Sequence, residues 1–177
     1  YRYFRTTKID SNAFKEFTEL EYLSLSDNQI EQLEEALFES LSKLEVLCVC
    51  DNRLKHIKSN LFKGLTKLET LEMSKNQLTT IDANIFINLS YLNELNLSKN
   101  KLERIESDAF KGLVNLERLK LNNNQIEEIQ EGSFNGLSNL KHLHLEQNKL
   151  KIIGANVFGN LDKLETLFLD HNELESI

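Results

Sequence analysis

Seven segments of this chain share one alternation of apolar and polar positions. They begin at Leu20 (LEYLSLSDNQIEQL), Leu44 (LEVLCVCDNRLKHI), Leu68 (LETLEMSKNQLTTI), Leu92 (LNELNLSKNKLERI), Leu116 (LERLKLNNNQIEEI), Leu140 (LKHLHLEQNKLKII) and Leu164 (LETLFLDHNELESI), each 24 residues after the last. The LxL core of each segment alternates apolar and polar, as a half-buried strand does. Thus Leu23 and Leu25 turn inward and Ser24 turns outward. Between the segments a phenylalanine column repeats at the same step: Phe14, Phe38, Phe62, Phe86, Phe110, Phe134 and Phe158. Three residues after each stands Phe17, Leu41, Leu65, Leu89, Leu113, Leu137 or Leu161. A sustained period of this size marks a solenoid, because one turn cannot bury its apolar side chains and stacked turns can. Seven parallel strands about 4.8 Å apart span roughly 30 Å of arc.

An asparagine column (Asn28, Asn52, Asn76, Asn100, Asn124, Asn148, Asn172) follows the strands. Its amides are expected to satisfy backbone groups where the chain leaves each strand, as Asx turns do. The phenylalanines are expected to form a spine beneath the convex side. Ser40, Gly64, Asn88, Gly112, Gly136 and Asn160 lie between the phenylalanine and leucine columns. Glycine and asparagine dominate there, which predicts a tight turn with positive φ.

The assembled pattern, LxxLxLxxNxLxxIxxxxFxxLxx, resembles the leucine-rich repeat. It is similar to the 24-residue class of animal extracellular proteins such as Toll receptors, Slit-like guidance proteins and insect immune leucine-rich proteins. The resemblance implies an α/β solenoid: a horseshoe with a parallel concave β-sheet and irregular or 3-10 convex turns. It also implies non-catalytic recognition of a protein or microbial ligand by an extracellular receptor or secreted protein, of the innate-immune type. Homophilic adhesion or guidance is the alternative, and homo- or heterodimerisation stays open. A variable-receptor-type binder is a further rival, which the lack of proline in the convex turns disfavours.

The whole of 1–177 reads as one solenoid: a partial repeat over 1–19, six full repeats over 20–163 and a partial repeat over 164–177. Phe4 stands where the asparagine belongs and Thr6 where a leucine belongs. Tyr1, Tyr3 and Phe4 are expected to cover the open end of the core. The family's cysteine-rich caps are missing at both ends, so a fragment of a longer protein is expected, with membrane attachment only through parts outside this chain.

The bulk composition removes several function classes. The formal net charge is −7 with both signs interspersed, so no basic face points to nucleic acid. No run of about 18 apolar residues is present to span a membrane. No nucleophile elbow, P-loop or HExxH motif occurs, and no cofactor is implied.

Function then falls to the variable strand positions on the concave side. The third column reads Tyr22, Val46, Thr70, Glu94, Arg118, His142 and Thr166; the fifth reads Ser24, Cys48, Glu72, Asn96, Lys120, His144 and Phe168. The seventh reads Ser26, Cys50, Ser74, Ser98, Asn122, Glu146 and Asp170; the eighth reads Asp27, Asp51, Lys75, Lys99, Asn123, Gln147 and His171. The candidate ligand-binding residues are Tyr22, Cys48, Glu72, Glu94, Arg118, Lys120, His142, His144, Phe168 and Asp170. The exposed aromatics Tyr22 and Phe168 are the expected anchors.

Cys48 and Cys50 share a face with Cα atoms about 6.6 Å apart, near the upper limit for a disulfide. Surface thiols, a strained bridge and a bond to another chain all stay open; zinc would need more ligands. His142 and His144 also share a face, near Glu146, Asp170 and His171. Contact surface is the preferred reading over a metal site. A second-position column (Glu21, Glu45, Glu69, Glu117, Glu165) reads as a solvated edge rather than an acidic dock. Two sequons, Asn88-Leu89-Ser90 and Asn96-Leu97-Ser98, matter only in a secretory pathway. A glycan on Asn96 would obstruct the centre of the concave face.

Overall fold

A computed structural model describes residues 7–176. Tyr1, Tyr3, Phe4 and Thr6, with the expected cover of the core, lie outside the described residues. Seven three-residue strands form one parallel sheet: β1 (Tyr22–Ser24), β2 (Val46–Cys48), β3 (Thr70–Glu72), β4 (Glu94–Asn96), β6 (Arg118–Lys120), β8 (His142–His144) and β9 (Thr166–Phe168). Neighbours pair with a register offset of 24 residues, as in Leu71↔Leu95 and Leu95↔Leu119. Ladder bonds continue past the strand ends: Val49 N donates to Glu72 O at 2.8 Å and Asp51 N to Ser74 O at 3.1 Å.

The period-two reading decides which side is core. Leu47, Leu71, Leu95, Leu119 and Leu143 are completely buried, while their strand neighbours are half-exposed. Burying each such leucine contributes about 2 kcal/mol before entropy. The phenylalanine spine forms as expected. Phe86 and Phe110 stack with ring centroids 6.3 Å apart, and Phe110 and Phe134 with centroids 6.0 Å apart.

The asparagines do more than close a local turn. Asn52 Nδ2 donates to Val49 O (3.2 Å) and Cys50 O (3.1 Å) in its own turn and to Leu25 O (2.9 Å) in the turn before. Its Oδ1 accepts the amide of Ile30 at 3.0 Å. The same arrangement recurs at Asn76, Asn100, Asn124 and Asn148, all buried. Each asparagine therefore ties two successive turns together.

Two expectations need correction. The eighth column does not lie on the sheet face: Asp27, Asp51, Lys75, Lys99, Asn123, Gln147 and His171 all have φ between 52° and 57°, where the chain turns out of the strand. The turn between phenylalanine and leucine has positive φ only at Gly112 and Gly136; the other left-handed residues stand two before the phenylalanine, at Ala36, Asn60, Asn84, Asp108 and Gly132. Gly64 is required there for space instead: a Cβ on it would meet Glu39 O at 2.3 Å. The fold is a parallel-sheet β-solenoid whose convex side is irregular, as the repeat implied, and the described residues contain no helix. The convex side is built of turns with a second, two-stranded parallel sheet of β5 (Arg104–Ile105) and β7 (Glu128–Ile129). Among the described residues no helix is long and apolar enough to cross a membrane.

Candidate recognition face

The parallel register gathers the third- and fifth-column residues into two continuous rows across the concave sheet. Three chemically different zones result.

The first zone is thiol and hydroxyl chemistry. Tyr22 is 59% exposed, and its hydroxyl lies 3.8 Å from Cys48 Sγ. Ser26 Oγ lies 3.0 Å from Cys50 Sγ. Both cysteines are unpaired and half-buried, and burial pushes the Cys48 thiol above its ordinary range.

The central zone is charged but internally balanced. Glu94 accepts from Arg118 Nη1 at 3.2 Å and from Lys120 Nζ at 2.5 Å. Partial burial works to raise the Glu94 carboxyl, but the Lys120 bond and the two cations outweigh it and hold the group below its ordinary range. Glu72 is pushed the other way. Burial raises it, and the bond from Asn96 Nδ2 (2.7 Å) with the Lys120 charge only partly opposes that. Arg118 and Lys120 thus share one carboxylate, which the sequence did not reveal because that partner stands 24 and 26 positions upstream.

The third zone is aromatic and imidazole. His144 stacks on Phe168 with centroids 4.6 Å apart, and its Nδ1 lies 3.4 Å from Glu146 Oε1. His142 Nδ1 lies 2.8 Å from Thr166 Oγ1. Asp170 stands apart beside His171, at 3.7 Å. The structure therefore joins His144 to Phe168 but does not bring His142, His144 and Asp170 together. Among the described residues no group of three or more His, Cys, Asp or Glu side chains is arranged to hold a metal. Glu146, noted beside the histidine pair but not among the candidate binding residues, has its Oε2 buried without a hydrogen-bond partner.

Outside the face, Glu117 pairs with Lys141 at 2.8 Å, so the acidic edge is partly compensated. Asn88 is exposed on a turn, whereas Asn96 is half-buried: its Nδ2 holds Glu72 and its Oδ1 accepts Ser98 N at 3.0 Å. A groove of about 590 Å³ lies away from the sheet, lined by Lys8, Ile9, Asp10, Ser11, Glu34, Glu35 and Lys58. The sheet itself is an open surface suited to a macromolecule rather than an enclosed small molecule.

Six copies of the BspA type leucine rich repeat region match over residues 4–101 and 55–177. The chain belongs to this leucine-rich-repeat family. A comparison with curated proteins finds no match. Among solved structures, a chain of the TLR13–ssRNA13 complex is 31% identical with a TM-score of 0.89, over 93% of this chain and 24% of that one. A chain of the Drosophila Toll–Spatzle complex is 28% identical with a TM-score of 0.86, over 94% and 24%. The internalin inlF of Listeria monocytogenes is 32% identical with a TM-score of 0.74, over 95% and 46%. The chain spans about a quarter of the length of the two Toll-type chains. These neighbours establish a leucine-rich-repeat solenoid and are consistent with a binding module.

Proposed function

We propose that this chain is a non-catalytic recognition module that takes a protein ligand on its concave face, within an extracellular receptor or surface protein. The observation that carries this reading is the pair of continuous side-chain rows on the sheet. The core does not need those side chains, and they differ from turn to turn. A chain similar to this one occurs in complex with Spatzle, and another, 32% identical over 77% of this chain, in the octameric complex of Latrophilin 3, Unc5D and FLRT2. The first likeness supports an innate-immune role of the Toll kind, and an adhesion or guidance role is the alternative reading. The BspA-type match widens the setting to microbial surfaces. Nucleic acid is disfavoured despite the likeness to the TLR13 complex, because net charge is −7 and the central cations stand among the carboxylates Glu72 and Glu94.

Photo-crosslinking residues placed at Thr70, His142 and Thr166 would test the reading, with Lys111 on the far side as control. Protein adducts from the three sheet positions and none from position 111 are expected. Equal yields from all four positions, or adducts from position 111 alone, would refute recognition by the concave face.

A further inference from the structure

We propose that Cys48 and Cys50 form a two-coordinate thiolate site for a soft monovalent d¹⁰ cation of the copper(I) class. The two thiols lie on the same face of one extended segment. Val49 between them is 1% exposed, and the ladder bonds of Val49 and Asp51 keep the chain extended through Cys50. The chain turns only at Asp51, where φ is 52°.

This geometry separates the candidate uses of two thiols. Same-face residues two apart on a strand have Cα atoms about 6.6 Å apart and near-parallel Cα–Cβ bonds. A disulfide wants Cβ atoms about 3.8 Å apart, which this arrangement does not supply without bending the strand. With metal–sulfur bonds no longer than the roughly 2.3 Å of tetrahedral zinc thiolates, a linear ion spans at most about 4.6 Å between sulfurs, a separation that side-chain rotation reaches. Zinc is excluded on ligand number, since structural zinc takes four ligands and Glu72, the nearest carboxylate in the row, is held by Asn96. Two thiolates suit a soft ion by softness as well as by number.

Each sulfur has a hydroxyl beside it. The Tyr22 hydroxyl reaches Cys48 and the Ser26 hydroxyl reaches Cys50, so each sulfur has a donor that could share its charge. Both sulfurs are half-buried and reachable by an ion, and burial keeps the Cys48 thiol protonated until the ion displaces its proton. Capture replaces two S–H bonds by two S–metal bonds and releases two protons with no change of oxidation state: M⁺ + 2 RSH gives [RS–M–SR]⁻ + 2 H⁺. Affinity therefore strengthens as pH rises.

The test uses reduced protein under nitrogen, titrated with copper(I) against bathocuproine disulfonate, with native mass spectrometry for stoichiometry. Serine fills both positions in the preceding turn, at Ser24 and Ser26, so Cys48→Ser and Cys50→Ser suit the fold. One ion per wild-type chain is expected, with at least hundredfold weaker binding in either single variant. Binding within threefold of wild type in a single variant overturns the proposal, as does a wild type that fails to compete. Quantitative formation of an intramolecular Cys48–Cys50 disulfide by diamide, with the circular dichroism spectrum unchanged, also overturns it.

Discussion

The amide of Leu78 donates to Asn100 Oδ1 at 3.0 Å across a gap of 22 residues, and this bond joins two successive turns of the solenoid. The same asparagine donates to Met73 O (3.1 Å), Leu97 O (3.0 Å) and Ser98 O (3.3 Å). Replacing it with leucine, a residue of similar size, strips several buried backbone groups of their partner. Each such group costs about 1–3 kcal/mol. Asn100→Leu is expected to destabilise the chain by roughly 3 kcal/mol in urea unfolding. A loss under about 1 kcal/mol would show that the ladder is incidental to the stacking of turns.

How much of this was legible beforehand differs between kinds of contact. The buried leucines and the phenylalanine spine were readable, because inward direction follows from alternation and stacking follows from the 24-residue step. The cross-turn reach of Asn52 and Asn100 was not, because it joins residues 22 and 27 apart whose spacing has no local signature. The left-handed turns at Lys75, Lys99 and Gln147 were hidden for another reason: those residue types do not favour positive φ, and only Asp and Asn elsewhere in the column hint at it. On the candidate face the rows were readable, but the pairing of Glu94 with Arg118 and Lys120 needed the register. What the face binds has no signature in the repeat, since the repeat positions encode the core.

The φ of 55° at Lys99 leads to a stabilising change. Asparagine occupies the equivalent position at Asn123 and tolerates this conformation better than lysine. Lys99 is exposed. Lys99→Asn is expected to raise the urea midpoint by the equivalent of about 0.5–1 kcal/mol with an unchanged slope. Lys99→Val, a β-branched residue, is expected to lower it. If valine proves as stable as asparagine, backbone strain at this column is not what limits stability.

Phe110 lies between Phe86 and Phe134 and is completely buried, whereas Phe158 stacks on Phe134 alone among the described residues and is half-buried. Truncation at the centre removes contacts with two turns and leaves a cavity. Phe110→Ala is expected to cost about 3–5 kcal/mol and Phe158→Ala roughly half as much. Hydrogen exchange is expected to show the loss centred on the turns that flank residue 110, as nearest-neighbour coupling requires. Equal costs at the two sites would mean that the spine contributes only side-chain burial and no coupling between turns.

Glu72 and Glu94 titrate with opposite consequences for the same sheet. The Glu94 carboxyl is held below its ordinary value of 4.5, so its ionised form stabilises the fold above that value. That contribution is lost as pH falls through the lowered folded pKa. Glu94→Gln is expected to cost about 1 kcal/mol at pH 7, shrinking toward nothing in acid. The Glu72 carboxyl is raised above 4.5, so between the ordinary and the raised value the folded state holds more protons than the unfolded one. Stability then falls as pH rises through that window. Glu72→Gln keeps an oxygen to accept Asn96 Nδ2 and removes the buried charge. It is therefore expected to be more stable than wild type at pH 7 and to lose that advantage below about pH 4. Urea unfolding of wild type and both variants between pH 3 and 8 checks the pair. Parallel stability–pH curves for all three proteins would mean that neither carboxylate feels the sheet, and the balanced charge zone at the centre of the concave face would have to be abandoned.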